Sequence, residues 1–320
     1  MLKMTAKFVL AFGLCYWLFT NGKLDFSLVS KSFHLGYLWL VGLVLLLLRN
    51  ILNTSRFKVI FESKTGLKIP FIKVLSFDAV GSFFSVILPG SAAGDVIRFF
   101  YYKDFNSNIT KSSVAMFLIL DRMTGLLGLL LVGAVVCIIQ FDSIRTLNES
   151  LLTLVYLNIL LCVGLGAILT LFFTDLLPQD KLLLKMSGAF SRWPKIHQTI
   201  SAMLSVQIPI KDFLIALILG VASQGALITA FWAFSFPFLP ETVSFLNLIT
   251  VIPIGLIGAA MPIAPAGLGV GHLLFENLFR MVGIENGASL FNLTFLGSVS
   301  VCLLGIIPYL LMKKPSTGKE

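Results

Sequence analysis

Apolar residues along this chain come in long uninterrupted runs, and six of these runs reach or approach the length of a membrane crossing. They extend from Ala6 to Thr20, His34 to Leu48, Ser112 to Ile139, Leu151 to Phe173, Phe213 to Phe236 and Ala288 to Met312. The hydrocarbon core of a bilayer is about 30 Å thick, which a helix crosses with about 20 apolar residues. Two further runs, Val74 to Tyr102 and Phe245 to Val282, are interrupted midway. The first breaks at Leu88-Pro89-Gly90-Ser91-Ala92-Ala93-Gly94-Asp95, the second at Pro262-Ile263-Ala264-Pro265-Ala266-Gly267-Leu268-Gly269. Proline removes a backbone donor and clashes with the preceding turn, and glycine opens conformations other residues resist, so neither run is one continuous helix. Broken backbone at membrane depth is tolerated only where protein or a polar cavity surrounds it. Each interrupted run therefore predicts a re-entrant helical hairpin. The fold class that follows is all-α: a polytopic helical membrane protein with about six full crossings and two Pro/Gly-broken hairpins.

Composition agrees with that pattern. The chain is 57% hydrophobic and 12% charged, with a mean hydropathy of +0.96, against about 25% charged residues in an ordinary soluble domain. We expect a single transmembrane domain over residues 1–320 and no soluble domain. Met1 to Thr20 carries Lys3 and Lys7 ahead of an apolar run but no small-residue cleavage site, so it is expected to stay as the first helix. Cys15, Cys137, Cys162 and Cys302 all lie in apolar segments and read as small core residues.

The net charge of +9 adds an orientation. The basic residues form no patch interleaved with exposed aromatics, so nucleic acid is not an expected partner. They fall between the apolar runs. If the crossings alternate, one side receives Lys3, Lys7, an Arg49 to Lys73 loop, Arg98, Lys103, Lys111, the Lys181 to Lys211 loop and the Lys313 to Lys319 tail. The other side keeps Lys23, Lys31 and Arg145. By the positive-inside rule both termini are expected to be cytoplasmic, and the expected location is the cell (inner) membrane, crossed by several helices. The two hairpins then enter from opposite sides, as in transporters built from inverted repeats. Residues 175–211 are expected to form a cytoplasmic amphipathic connector. Within it Asp180 to Gln207, with Lys181, Lys185, Arg192, Lys195 and His197 among apolar residues, reads as an interfacial helix pair or as a solvated basic loop.

Ionisable side chains inside the membrane cost about 2.5–3.5 kcal/mol each on insertion scales and so need partners. Three sets stand out. Asp95 and Arg98 follow the first break and share a helical face. A half-helix start plus a guanidinium makes a phosphate site, while the plainer reading is a capping Asp beside an Arg that snorkels to the interface. Asp121 and Arg122 lie deep in the Ser112 to Ile139 run, where neighbours point about 100° apart on a helix. Each should therefore pair with another segment, Arg122 with Asp95 or Asp78 and Asp121 with Arg98, either as a structural network or as part of a binding site. His272, Glu276 and Arg280 recur every four residues after the second break. They form either a phosphate-contacting or proton-coupled wall, or an interfacial face with Arg280 snorkelling outward. No nucleotide-binding loop, H-E-x-x-H or G-x-S-x-G motif occurs in the sequence, and with three histidines and no cysteine pair neither a metal nor a cofactor is expected.

The ordered motifs resemble a known family. Leu88-Pro89-Gly90 through Gly94-Asp95-Val96-Ile97-Arg98, then Asp121-Arg122 with Gly125, then Pro262 and Pro265-Ala266-Gly267-Leu268-Gly269-Val270 resemble the lysylphosphatidylglycerol synthase transmembrane family, flippase-like integral membrane proteins. The family's G-E-x-x-R pattern is matched with Asp95 in place of Glu and with Arg98 retained, and its E-R pair corresponds to Asp121-Arg122. Its P-G-G-L-G motif has Ala266 for one Gly here, and His272 stands near the acid that usually follows. The resemblance implies translocation of phospholipids with modified headgroups or of polyprenyl-phosphate-linked sugars. With the chain running to Glu320, the aminoacyl-transferase domain of bifunctional relatives is not expected in the same polypeptide.

The resulting expectation is a flippase-like protein rather than an enzyme. Asp95, Arg98, Asp121, Arg122, His272 and Glu276 would line a polar path for the phosphate-bearing headgroup of a membrane lipid, anionic or polyprenyl-linked. The breaks at Pro89, Gly90, Gly94, Pro262, Pro265, Gly267 and Gly269 would frame that path, and homo-oligomerisation is left open. Two other classes compete with it: a membrane-embedded enzyme acting on lipid-linked phosphate, and a small-solute carrier or accessory subunit whose charges are structural.

Overall fold

The computed structural model describes residues 36–87, 93–106, 109–141, 144–145, 149–176, 207–240, 245–259 and 269–312, together with Tyr16 and Thr20. The expected Ala6 to Thr20 crossing lies outside them apart from those two positions, as do most of the 175–211 connector and the Lys313 to Lys319 tail.

Almost everything described is helical. In chain order the helices are α1 (Gly36–Thr65), α2 (Phe71–Ile87), α3 (Ala93–Phe105), α4 (Lys111–Ile139), α5 (Glu149–Phe173), α6 (Ile210–Ser235), α7 (Phe245–Ala259), α8 (Val270–Met281), α9 (Gly287–Leu303) and α10 (Ile306–Leu311), with a 3₁₀ turn at Phe236–Phe238. A lone parallel bridge joins Thr174 to Ile208, and the described residues contain no strand. Five stretches among them are long and apolar enough to cross a membrane: Gly36–Thr65, Lys111–Ile139, Leu151–Leu171, Ile210–Phe238 and Gly287–Leu311. These match five of the six apolar runs, and the protein is an all-α polytopic membrane protein.

One expectation is corrected. The segment from Arg49 onward is no loop, because α1 continues unbroken to Thr65 and only residues 66–70 separate it from α2. The reason is local. Past Leu48 the apolar positions narrow to a stripe, Phe57, Ile60 and Phe61, which is fully buried against the bundle. Lys58, Glu62 and Lys64 keep exposure on the remaining faces while Thr54 and Arg56 are buried beside the stripe, so the helix continues into the bundle rather than ending. Lys58 and Glu62, four apart and 2.7 Å from each other, support the same register.

Both interrupted runs form antiparallel helix pairs. In the first, Asp78 of α2 stands opposite Arg98 of α3 and Gly81 opposite Gly94. A Cβ on Gly94 would lie 3.0 Å from Ser85 Cβ and closer still to the Gly81 carbonyl oxygen, so the two backbones touch. In the second pair, Gly255 of α7 packs on Phe275 of α8 and Gly271 on Ala259. The breaks themselves, with Pro89, Gly90, Pro262, Pro265 and Gly267, lie outside the described residues.

Two aromatic-rich cores hold the bundle. Around the first pair, Phe57 and Tyr102 rings lie 4.5 Å apart, Phe61 and Phe117 5.5 Å, and Phe77 and Tyr102 5.1 Å. Around the second, Phe275 stacks on Phe291 at 4.7 Å and on Phe231 at 5.1 Å. Lipid is as apolar as these side chains, so association depends on close packing more than on expulsion from water. The α4–α6 crossing shows this, since a Cβ on Gly128 would sit 2.8 Å from the Gly220 carbonyl carbon.

Candidate functional site

Helices α1 to α4 bring six charged residues together: Arg56 from α1, Asp78 from α2, Asp95 and Arg98 from α3, and Asp121 and Arg122 from α4. Arg98 is the hub. Its Nε donates to Asp78 Oδ1 at 2.9 Å, while Nη1 lies 3.4 Å from both Asp95 Oδ1 and Asp121 Oδ2. The guanidinium also sits over the Phe57 ring, 4.8 Å from its centroid, an arrangement that favours the planar cation over any other basic group. Asp121 turns its second oxygen to Arg56 Nε at 2.8 Å. Asp95 turns its own to Arg122 Nε. Asp78 accepts two further hydrogen bonds, from the Thr54 and Tyr102 hydroxyls, each at 3.0 Å.

The network accordingly ties four helices through side chains that are individually costly to bury. Its depth is graded. Arg56 and Asp121 side chains are 6% and 5% exposed, Arg98 13%, Asp95 21% and Arg122 46%. Arg122 and Asp95 therefore stand at the mouth, and Arg56 with Asp121 at the floor.

All six line one cavity of about 570 Å³. Asn50, Asn53, Thr54, Ser82 and Ser85 add neutral polar groups to its wall, and Leu47, Ile51, Leu75 and Leu304 an apolar side. Pockets of about 300–1,000 Å³ accommodate small-molecule ligands, so the space is large enough for a small polar ligand. Gly94, the end of the first break, lies in the lining as well.

The sequence placed Asp95, Arg98, Asp121 and Arg122 as candidates, and the structure joins all four, with the pairings Arg122 to Asp95 and Arg98 to Asp121 among those expected. Asp95 sits in the first turn of α3, where its carboxylate bridges the two arginines.

His272 and Glu276 are not brought to this cavity. They lie where α8 meets α9. His272 Nδ1 accepts from the Gly269 N–H at 3.4 Å, and its Nε2 lies 3.4 Å from Asn292 Oδ1. The ring meets Phe291 edge-on at 5.0 Å. Glu276 accepts from the Ala288 N–H at 3.2 Å and from Arg280 Nη2 at 2.9 Å. Four-residue spacing did put the three on one helical side, but burial divides them: His272 and Glu276 are 1% and 6% exposed, while the Arg280 side chain is 59% exposed. Gly269, with a positive φ of 77°, starts α8 in a conformation that suits glycine.

Sequence reasoning missed Arg56, Thr54 and Tyr102. Arg56 was hidden by the reading of a loop after Arg49. The signal was present, since Phe57, Ile60 and Phe61 continue a helical stripe past it and give a buried register to the residue beside them.

The comparisons with known proteins agree with this architecture. No curated protein matches the chain. The family described as lysylphosphatidylglycerol synthase TM region matches residues 4–307, a stretch that takes in the charge cluster and both helix pairs. The chain therefore belongs to the lysylphosphatidylglycerol synthase transmembrane-region family, membrane proteins related to lipid modification or translocation.

Proposed function

We propose that this protein moves a phosphate-bearing lipid, a phospholipid or a polyprenyl-phosphate-linked one, between the leaflets of the cell (inner) membrane. The headgroup passes through the charged cavity while the tails stay in lipid. The observation that carries this reading is the cavity itself, with three arginines and three aspartates converging from four helices at the end of a broken apolar run. Each empty-state arginine has a carboxylate partner, so the site is tolerable in an apolar surrounding without ligand. An arriving phosphate offers the same bidentate acceptor geometry as a carboxylate and can exchange for one. The exchange begins at the Arg122–Asp95 pair, the most exposed of the set, and proceeds toward Arg98. His272 and Glu276 contribute by fixing α8 on α9 rather than by touching the headgroup.

The test is reconstitution of the full chain in vesicles with headgroup-labelled phospholipids. Leaflet exposure is followed by a membrane-impermeant quencher and lipid identity by mass spectrometry. Translocation of chemically unchanged lipid is expected, and it should be lost in Arg122→Gln. Unchanged leaflet distribution with folded protein would overturn the reading, and a change in lipid mass would replace it with the membrane-embedded enzyme.

A further inference from the structure

The charges that line the cavity cancel. Among the described residues its wall carries Arg56, Arg98 and Arg122 against Asp78, Asp95 and Asp121, three of each sign. The rest of the polar lining, Asn50, Asn53, Thr54, Ser82 and Ser85, is neutral. A phosphodiester brings one negative charge and no proton of its own. Received here, it leaves one anion more than the guanidiniums balance. An uncompensated charge in a largely apolar surrounding is costly, and when two acids compete for one cation the strain is relieved if one of them takes up a proton.

The three aspartates are not equally placed to do so. Asp78 holds Arg98 Nε at 2.9 Å and the Thr54 and Tyr102 hydroxyls at 3.0 Å each. Asp121 holds Arg56 Nε at 2.8 Å on the cavity floor. Asp95 is the most exposed of the three, and Arg122 is its closer partner. Once a phosphate has taken Arg122, Asp95 keeps the 3.4 Å contact with Arg98, a cation that Asp78 and Asp121 already share. The groups around it leave no second cation within the same reach. Helix α3 packs on α2 and α4. Facing Asp95 are Arg98 on its own helix, Asp121 and Arg122 on α4 and, through Arg98, Asp78 on α2 with Tyr102; Arg56 of α1 lies below, on Asp121. Val301, Leu304 and Gly305 close the wall from α9 and the turn after it, and none of them titrates.

We propose that Asp95 is a proton-binding site coupled to the headgroup: a phosphodiester that displaces it from Arg122 is bound together with one proton, carried on the Asp95 carboxyl. This rests on the transport reading above and adds the co-ligand that the charge balance requires. The proton comes from the aqueous phase and ends on a carboxylate oxygen, with no other bond made or broken. The protonated group donates to a phosphate oxygen, so two acids that would repel become hydrogen-bonded. Release of the lipid reverses both events: Asp95 gives up its proton and returns to Arg122. A headgroup with its own ammonium supplies the missing positive charge and needs no proton.

Isothermal titration calorimetry on the full chain in detergent counts the protons. Dihexanoyl-phosphatidylglycerol, a short-chain phosphodiester lipid of net charge −1, is titrated at neutral pH in two buffers of different ionisation heat. Uptake of about one proton per lipid bound is expected, and while uptake persists the affinity should fall by up to about tenfold for each unit rise in pH. Dihexanoyl-phosphatidylethanolamine, with the same phosphate and an ammonium, should bind without uptake. Binding of the phosphatidylglycerol with no uptake, or equal uptake with both lipids, would overturn the proposal. Asp95→Asn should bind the phosphatidylglycerol with no uptake and an affinity that does not change with pH. Asp95→Glu keeps the charge and carries the assignment, also where Asp95→Asn does not fold. The infrared difference spectrum on binding should show the carbonyl band of a protonated carboxyl, moved in frequency by Asp95→Glu and unmoved by Asp78→Glu. A band that stays in place in Asp95→Glu puts the proton elsewhere, and the proposal fails. Lipid transfer by the wild-type chain in vesicles without proton uptake on binding sinks this inference and leaves the transport reading standing. If the wild-type chain neither binds nor transfers, it is the transport reading that fails, and this one with it.

Discussion

Asp78 offers a clean way to weigh the network, because the amide and the acid have the same shape. Its Oδ1 receives Arg98 Nε at 2.9 Å and the Tyr102 hydroxyl at 3.0 Å, and its Oδ2 receives the Thr54 hydroxyl at 3.0 Å. In Asp78→Asn the amide oxygen can keep the first two contacts, and the NH₂ group can donate to Thr54 in place of accepting from it. Only the charge is lost. A charge-assisted bond contributes about 1.5–3 kcal/mol and an ordinary one about 0.5–1.5, so the cost should be about 1–2 kcal/mol. Arg98 stays balanced by Asp95 and Asp121. Asp78→Leu differs in kind, since it strands the Arg98 Nε and two hydroxyls in an apolar interior. Removing one partner of a buried pair costs about 3–5 kcal/mol. Equilibrium unfolding in mixed micelles of a mild detergent and dodecyl sulfate, followed by tryptophan fluorescence, reads both. Adding Arg98→Gln to Asp78→Leu should then cost less than Arg98→Gln alone, because the stranded cation is gone. If Asp78→Asn is as damaging as Asp78→Leu, or if the double variant is additive within about 0.5 kcal/mol, the residues are not coupled as the geometry implies.

Other consequences follow from packing and from the second helix pair. Gly94→Leu should destabilise the protein by more than the about 1–3 kcal/mol usual for overpacking, since its side chain would enter the α2 backbone at Gly81; a thermal-unfolding series with Gly94→Ala checks this, the smaller residue falling between. Gly128→Leu should separate α4 from α6 and lower the yield of folded monomer in size-exclusion chromatography, because the Gly220 backbone has no room to retreat. Glu276→Ala should cost about 1–3 kcal/mol, arising from the Ala288 N–H left without its acceptor; the Arg280 contact adds little, its side chain being 59% exposed and screened. Since Glu276 does not line the cavity, that variant should translocate headgroup-labelled phospholipid in vesicles as well as wild type does once folded.

Much of the architecture was legible in the chain because the bilayer makes two demands that a sequence reveals directly. A crossing needs an apolar run of a given length, and five such runs reappear as helices. Charges within an apolar run need partners, and Asp95, Arg98, Asp121 and Arg122 found them in one another. The proline and glycine breaks likewise announced helix pairs, since α2 with α3 and α7 with α8 lie on either side of them. What the sequence could not supply was distance between segments far apart in the chain. Arg56 is 65 residues from Asp121, and although the Phe57, Ile60 and Phe61 stripe carries the helix past it, nothing local names the carboxylate it will meet. Spacing placed His272, Glu276 and Arg280 on one helical side, but it could not tell which neighbour that side would meet. The tertiary packing gave it α9 instead of the cavity. Local pattern thus sets which residues must be sheltered, because that depends on each segment's own polarity and length. Which residues shelter one another depends on how the helices close together, and that is decided by backbone contacts such as Gly81 on Gly94 and Gly128 on Gly220.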